Sequence, residues 1–98
     1  MEKYHSYELP CYDSRNSFYG KAHVEHEEGD EWWYLRSYET QVLRVDGYGR
    51  IQRLWPGYSA TTMRHVNSFM HEMGFPPVCA GKKWWDNLPV NETVLPKW

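Results

Sequence analysis

No stretch of the 98 residues approaches the ~18 consecutive apolar residues of a membrane-spanning helix, and Met1-Glu2-Lys3-Tyr4-His5 lacks the apolar stretch of a signal peptide. A soluble, cytoplasmic protein is expected, in which the sequon Asn91-Glu92-Thr93 has no meaning. The two cysteines, Cys11 and Cys79, are too few for a disulfide scaffold or a four-cysteine zinc site, and a reducing compartment disfavours their pairing. Neither G-x-x-x-x-G-K-[ST] nor G-x-G-x-x-G occurs, so a nucleotide has no recognisable cradle and no cofactor or small-molecule substrate is expected. Internal repeats and low-complexity linkers are absent as well.

Aliphatic side chains are scarce, and aromatic ones take their place: six Trp, eight Tyr and three Phe make up 17% of the chain, so rings must do much of the packing. A chain of this length supports one core, which predicts a single domain over residues 1–98. The net charge of −2 conceals a division. Residues 1–31 carry three basic and eight acidic side chains, residues 32–66 five and two. The division is steepest in Glu25-His26-Glu27-Glu28-Gly29-Asp30-Glu31, which reads either as a solvated loop or as a negative patch for a basic partner.

Periodicity and turn chemistry predict an α+β domain, an antiparallel meander of three to four strands covered on one face by one main helix. Residues 1–16 contain Pro10 and no sustained pattern, so they read as an irregular arm. Strands are expected within 17–55, at 18–26, 31–36, 38–45 and 50–55. The third is apolar on both faces, Tyr38, Thr40 and Val42 on one and Leu43 and Val45 on the other, which predicts a central position. Asp46-Gly47-Tyr48-Gly49 supplies the turn before the fourth, and Pro56-Gly57 ends it.

The helix, expected over 60–73 within 59–74, has the clearest boundaries. Ser59 is a preferred N-cap, Tyr58 can staple to Met63, Gly74 suits the left-handed position after the last turn, and Phe75 can contact Met70 before Pro76-Pro77. Met63, Val66, Met70 and Met73, broadened by Phe69, form the apolar stripe. Val66→Ala or Met70→Ala should therefore cost on the order of 2–5 kcal/mol, and Ser68→Ala almost nothing. Residues 75–98 read as a C-terminal arm carrying the Trp84-Trp85 pair.

Catalysis has little footing. Cys11 has no His and orienting carboxylate brought to it by any sequence feature, and carboxylates in an exposed loop are not shifted toward acid–base use. A non-enzymatic protein is expected. For metals, His65 and His71 are about 240° apart around a helix and His23 and His26 point to opposite faces of a strand. No metal is assigned, although a long-range set of His5, Cys11, Cys79 and one further His stays open beside buried thiols and surface imidazoles. Arg36, Arg44, Arg50 and Arg53, interleaved with Trp32, Trp33, Tyr34, Tyr48 and Trp55, give the mixture of guanidinium and rings on which single-stranded nucleic acid stacks.

Ser37-Tyr38-Glu39-Thr40-Gln41-Val42, then Leu54-Trp55-Pro56-Gly57-Tyr58-Ser59-Ala60-Thr61-Thr62-Met63-Arg64-His65-Val66-Asn67-Ser68-Phe69, carry the pattern S-Y-x-T-x-V followed by W-x-G-x-S-x-T-T-x-R-H-V-N-x-F. On these residues, about the middle third, the chain resembles a family of small uncharacterised proteins encoded by phages, prophages and mobile elements of bacteria. Both termini, both cysteines and Trp84-Trp85 lie outside the resemblance. It implies an accessory protein of a kind that includes inhibitors of host defence such as anti-CRISPRs. Read on their own, Ser59, Thr61 and Thr62 satisfy amides at the helix start, while Arg64, His65 and Asn67 either bond back to the sheet or form a polar binding patch.

Two functions of different class follow. The first is stoichiometric binding to a host protein, with an RNA-guided nuclease as the implied kind. Glu25, Glu27, Glu28, Asp30 and Glu31 would meet its basic channel, and Trp32 and Trp33 would supply one inward and one outward ring. The alternative is nucleic-acid binding through Arg36, Arg44, Arg50, Arg53 and Trp55.

Overall fold

In the computed structural model, which describes residues 4–12, 18, 20–75 and 81–95, the chain forms one antiparallel sheet backed by a main helix. The strands are β1 (Tyr4–Glu8), β2 (Ala22–Glu27), β3 (Trp32–Ser37), β4 (Thr40–Asp46), β5 (Ile51–Arg53) and β6 (Thr93–Val94). Their order in the sheet is their order in the chain, and every neighbouring pair is antiparallel. Two helices, α1 (Ala60–Glu72) and α2 (Lys82–Asp86), lie between β5 and β6.

The α+β meander expected from the sequence is present, but with six strands among the described residues rather than three or four. Both additional strands fall in residues read as arms. β1 escapes periodicity because all five of its residues are exposed, so no alternation of polarity marks it. β6 has only two residues, and its place is fixed by pairing with Ile51 and Gln52. The expected strand at 18–26 begins only at Ala22, and the one at 50–55 stops at Arg53.

The third expected strand is corrected in a different way. Tyr38 belongs to the tight turn before β4, with φ of 55°, and its N–H donates to Lys21 O at 2.7 Å. The register jumps from Leu35↔Leu43 to Arg36↔Gln41, leaving Val42 as the extra residue of a β-bulge. The bulge lets consecutive Val42 and Leu43 both reach the core. The double-faced apolar pattern is thus explained without covering both faces of the sheet.

One face of the sheet is apolar. Ala22, Val24, Leu35, Leu43, Val45 and Ile51 are buried there beneath Val66, Phe69 and Met70 of α1 and Trp85 of α2. The caps of α1 follow the sequence. Ser59 accepts from Thr62 N–H at 3.0 Å, and the helix closes with Gly74 N–H to His71 O and Phe75 N–H to Met70 O, Gly74 having the φ of 84° that favours glycine. The buried arc of α1 is wider than the stripe. Thr62, His65 and Ser68 are buried too: Thr62 and His65 lie against Ser37 at the end of β3, and Ser68 Oγ accepts from Tyr12 N–H at 3.3 Å. Ser68→Ala, expected from the stripe to be almost silent, should instead carry a cost of about 1–3 kcal/mol, because it leaves Tyr12 N–H without this acceptor.

Candidate interaction surface on the open sheet face

Strand alternation turns Tyr4, His23, Glu25, Trp32, Tyr34, Arg36, Gln41, Arg44 and Gln52 to the face opposite the helices. No described element covers this face. Its most distinctive feature is a row in which rings and guanidinium groups alternate. The Arg44 guanidinium lies 4.1 Å from the centre of a Trp32 ring and 5.8 Å from that of Tyr34. Arg50 lies 5.6 Å from Trp32 and 5.7 Å from Tyr48. The ladder Tyr34, Arg44, Trp32, Arg50, Tyr48 ends in a tyrosine that is 77% exposed.

Hydrogen bonds fix the ladder from beneath. Arg44 donates to Gln52 Oε1 at 2.5 Å and to the Tyr34 hydroxyl at 3.2 Å. Asp46, buried at the start of the turn, accepts from the N–H groups of Tyr48 and Arg50 at 2.9 Å each and from Arg50 Nε at 2.5 Å. Rings and cations held in this way lose little freedom when a partner docks, and Trp, Tyr and Arg are the residues that dominate binding hot spots.

Beside the ladder, Glu25 gathers a second cluster. It is 4% exposed, accepting from Arg36 Nε at 2.8 Å, Gln41 Nε2 at 3.0 Å and the Tyr4 hydroxyl, which ties β1 to the strands beyond it. Burial alone would raise the Glu25 carboxyl, but the bonds from Tyr4, Arg36 and Gln41 hold it below its ordinary value. Asp46 is likewise held low: burial opposes, and the Arg50 and Tyr48 donors prevail. A carboxyl with a lower pKa folded than unfolded stabilises above the unfolded value, and that stability is lost as pH falls through the folded one. Urea unfolding from pH 7 to 2 should show stability falling below about pH 4. Asp46→Asn, which keeps an acceptor for the two N–H groups, should reduce that slope; an unchanged slope would clear Asp46 of any part in it.

The acidic run is therefore not a row. Glu25 and Glu27 belong to β2, and Glu28 lies in the turn. Glu25 is withdrawn into its cluster, which corrects its place among the partner-binding carboxylates. Asp30 Oδ1 accepts from Trp32 N–H at 3.1 Å, and Glu31 pairs with Arg50 at 3.4 Å. Of the Trp pair, Trp32 stands on the open face. Trp33 packs against the core and stacks on His26, with ring centres 3.6 Å apart. Trp33 is thus the inward ring of the two.

Of the four arginines, Arg36, Arg44 and Arg50 are reached from the open face or its rim, and Arg53 is not. It points inward, 5% exposed, donating to the carbonyls of Trp55, Pro56, Gly57, Trp85 and Leu88, with its guanidinium 4.4 Å from the Trp85 ring. Trp55 lies beyond the end of β5, half-buried against the core. The glycine in W-P-G-Y has a steric reason: a Cβ on Gly57 would fall 2.4 Å from the Trp55 ring. Arg53 and Trp55 therefore leave the nucleic-acid-binding set. One available signal was parity, since Arg53 shares a strand face with Ile51, not with Gln52 and Arg44.

The helix motif is largely structural. His65 Nδ1 and Ser37 Oγ are 2.8 Å apart, with Thr62 Oγ1 3.3 Å from the same serine. His65 is 1% exposed, so this pair clamps α1 to the end of β3 and is closed to substrate. Arg64 turns to the N-terminal segment, toward Cys11 Sγ and over the Phe18 ring, rather than to the sheet. Among the described residues no group of three or more His, Cys, Asp or Glu is gathered for a metal; Cys79 lies outside them. No described helix is long and apolar enough to cross a membrane.

A family model described as a family of unknown function (DUF8033) matches residues 7–87, a span that includes both cysteines and the Trp84-Trp85 pair. No curated protein and no solved structure matches the chain.

Proposed function

We propose that this chain, which belongs to the DUF8033 family of unknown function, is a small non-enzymatic binding protein that engages a partner protein through the open face of its sheet. The ladder centred on Trp32 carries this reading, because it presents pre-positioned rings and cations beside an acidic turn. Trp32 is the anchor. Glu27 and Glu28 steer a basic partner surface toward it, a role in which charge acts mainly on the association rate. The resemblance to mobile-element proteins supplies the class of partner, a host protein with a basic nucleic-acid channel such as an RNA-guided nuclease.

The second reading is direct binding of single-stranded nucleic acid, favoured by one observation: rings and guanidinium groups alternate on an uncovered antiparallel sheet. The acidic balance of the chain weighs against it.

The test measures affinity for the purified host partner and for single-stranded and duplex oligonucleotides. Trp32→Ala should weaken partner binding at least ~30-fold, about 2 kcal/mol, with the circular dichroism spectrum unchanged. Reversing Glu27 and Glu28 to Lys should slow association and leave unfolding as it was. Tight oligonucleotide binding that Arg44→Ala abolishes would establish the second reading in place of the first. Partner binding indifferent to all these changes would remove the surface altogether.

A further inference from the structure

β1 is an edge strand, and its outward side is a continuous row of backbone groups. Leu9 N–H donates to Ala22 O at 2.9 Å, in the same register as His5↔His26 and Tyr7↔Val24. In an antiparallel pair the residues that bond to the neighbour alternate, so His5 and Tyr7 turn their N–H and C=O to β2. Tyr4, Ser6 and Glu8 turn theirs away from the sheet. Natural edges are normally blunted by lysine, proline, a bulge or extreme shortness. β1 has none of these: its register is unbroken, Tyr-His-Ser-Tyr-Glu contains neither lysine nor proline, and all five residues are exposed. β6, at the other edge, has only two residues to offer.

We propose that a second copy of this chain pairs with β1, antiparallel about a two-fold axis at Ser6, joining two sheets into one. The occupant follows from self-complementarity. With Ser6 opposite Ser6, Tyr4 falls opposite Glu8, and these are the residues whose backbone groups face outward on both copies. Every outward N–H and C=O from Tyr4 to Glu8 finds a partner in this register. Glu8 meets a tyrosine rather than another Glu8, which a parallel arrangement would bring side by side, and His5 meets Tyr7 on the helix side. An isologous contact of this kind closes on itself and stops at the dimer. The two open faces then lie side by side on one twisted surface, an arrangement independent of what that face binds.

Sedimentation of the full chain over a dilution series tests this, with hydrogen exchange read at individual amides. The expected result is a monomer–dimer equilibrium reaching twice the 11.8 kDa chain mass. The Tyr4, Ser6 and Glu8 amides should become protected as the dimer forms, while those of His5 and Tyr7 are protected throughout. Ser6→Pro removes an outward N–H that no intramolecular bond uses, at an edge position where proline is tolerated. It should shift the equilibrium at least ten-fold toward monomer while preserving the circular dichroism spectrum and the thermal midpoint of the monomer. A chain that stays monomeric at every concentration overturns the proposal. So does a dimer that Ser6→Pro leaves intact, or one in which those three amides still exchange freely. A monomer that instead takes up an added peptide strand along β1 would assign the edge to a foreign partner and overturn the pairing of copies.

Discussion

Arg53→Met should lower the free energy of unfolding by about 3–5 kcal/mol, because several buried carbonyls lose a charged donor at once. Methionine replaces much of the volume of the stem, so the effect isolates the guanidinium. That group donates to Trp85 O at 2.7 Å, Trp55 O at 2.8 Å, Pro56 O at 2.9 Å, Gly57 O at 3.2 Å and Leu88 O at 3.4 Å. A buried carbonyl left without a donor costs about 1–3 kcal/mol, and the sum is not additive, because some of the five can turn toward water. Arg53→Lys should recover little, since a single ammonium cannot span five acceptors on two separate segments of chain. Urea denaturation with a shared m-value provides the measurement. A loss below about 1 kcal/mol would mean that the carbonyls find other donors.

Trp85→Ala should cost a similar amount, about 3–5 kcal/mol, for a different reason. Trp85 is fully buried, its Nε1 donates to Gly57 O at 2.7 Å, and its ring lies against the Arg53 guanidinium. Alanine leaves a cavity where α2, β5 and the Pro56-Gly57 turn converge. Trp84→Ala, at a neighbouring position that remains half-exposed, should cost distinctly less. The double substitution of Arg53 and Trp85 should cost less than the two singles added, because each removes part of the same cluster. Strict additivity would show that the ring and the guanidinium act independently.

What the sequence made legible depended on how far each signal reached along the chain. Caps and tight turns are set by three or four neighbouring residues, so Ser59 and Gly74 marked the ends of α1 closely. Strand edges were harder. β1 has no buried residue to generate a pattern, and β6 owes its pairing to partners about forty residues away. The acidic run misled because a carboxylate's exposure is not a local property. Glu25 is buried only because Tyr4, Arg36 and Gln41 converge on it from β1, β3 and β4. Alternation separated Trp32 from Trp33 correctly, but it could not say which ring faced the core. Arg53 was misread through its company: four arginines among aromatic residues look alike in composition, and parity distinguishes them only once the face of Ile51 is known.

The meander also sets an order in time. β2, β3, β4 and β5 pair with partners across short turns, and such contacts close quickly because little chain entropy is lost. The acceptors at Trp85 and Leu88 and the partner strand β6 are separated from Arg53 and β5 by α1 and α2, so these contacts close much longer loops. The long-range half of the Arg53 cluster, its bonds to Trp85 O and Leu88 O, should therefore form late, after the rate-limiting step. Interactions absent from the transition state govern how long a folded molecule lasts rather than how fast it forms. Loss of the guanidinium should accordingly shorten the lifetime of the native state many-fold while leaving its rate of formation nearly unchanged, so that the persistence of the domain would depend on a cluster closed by one inward-facing arginine.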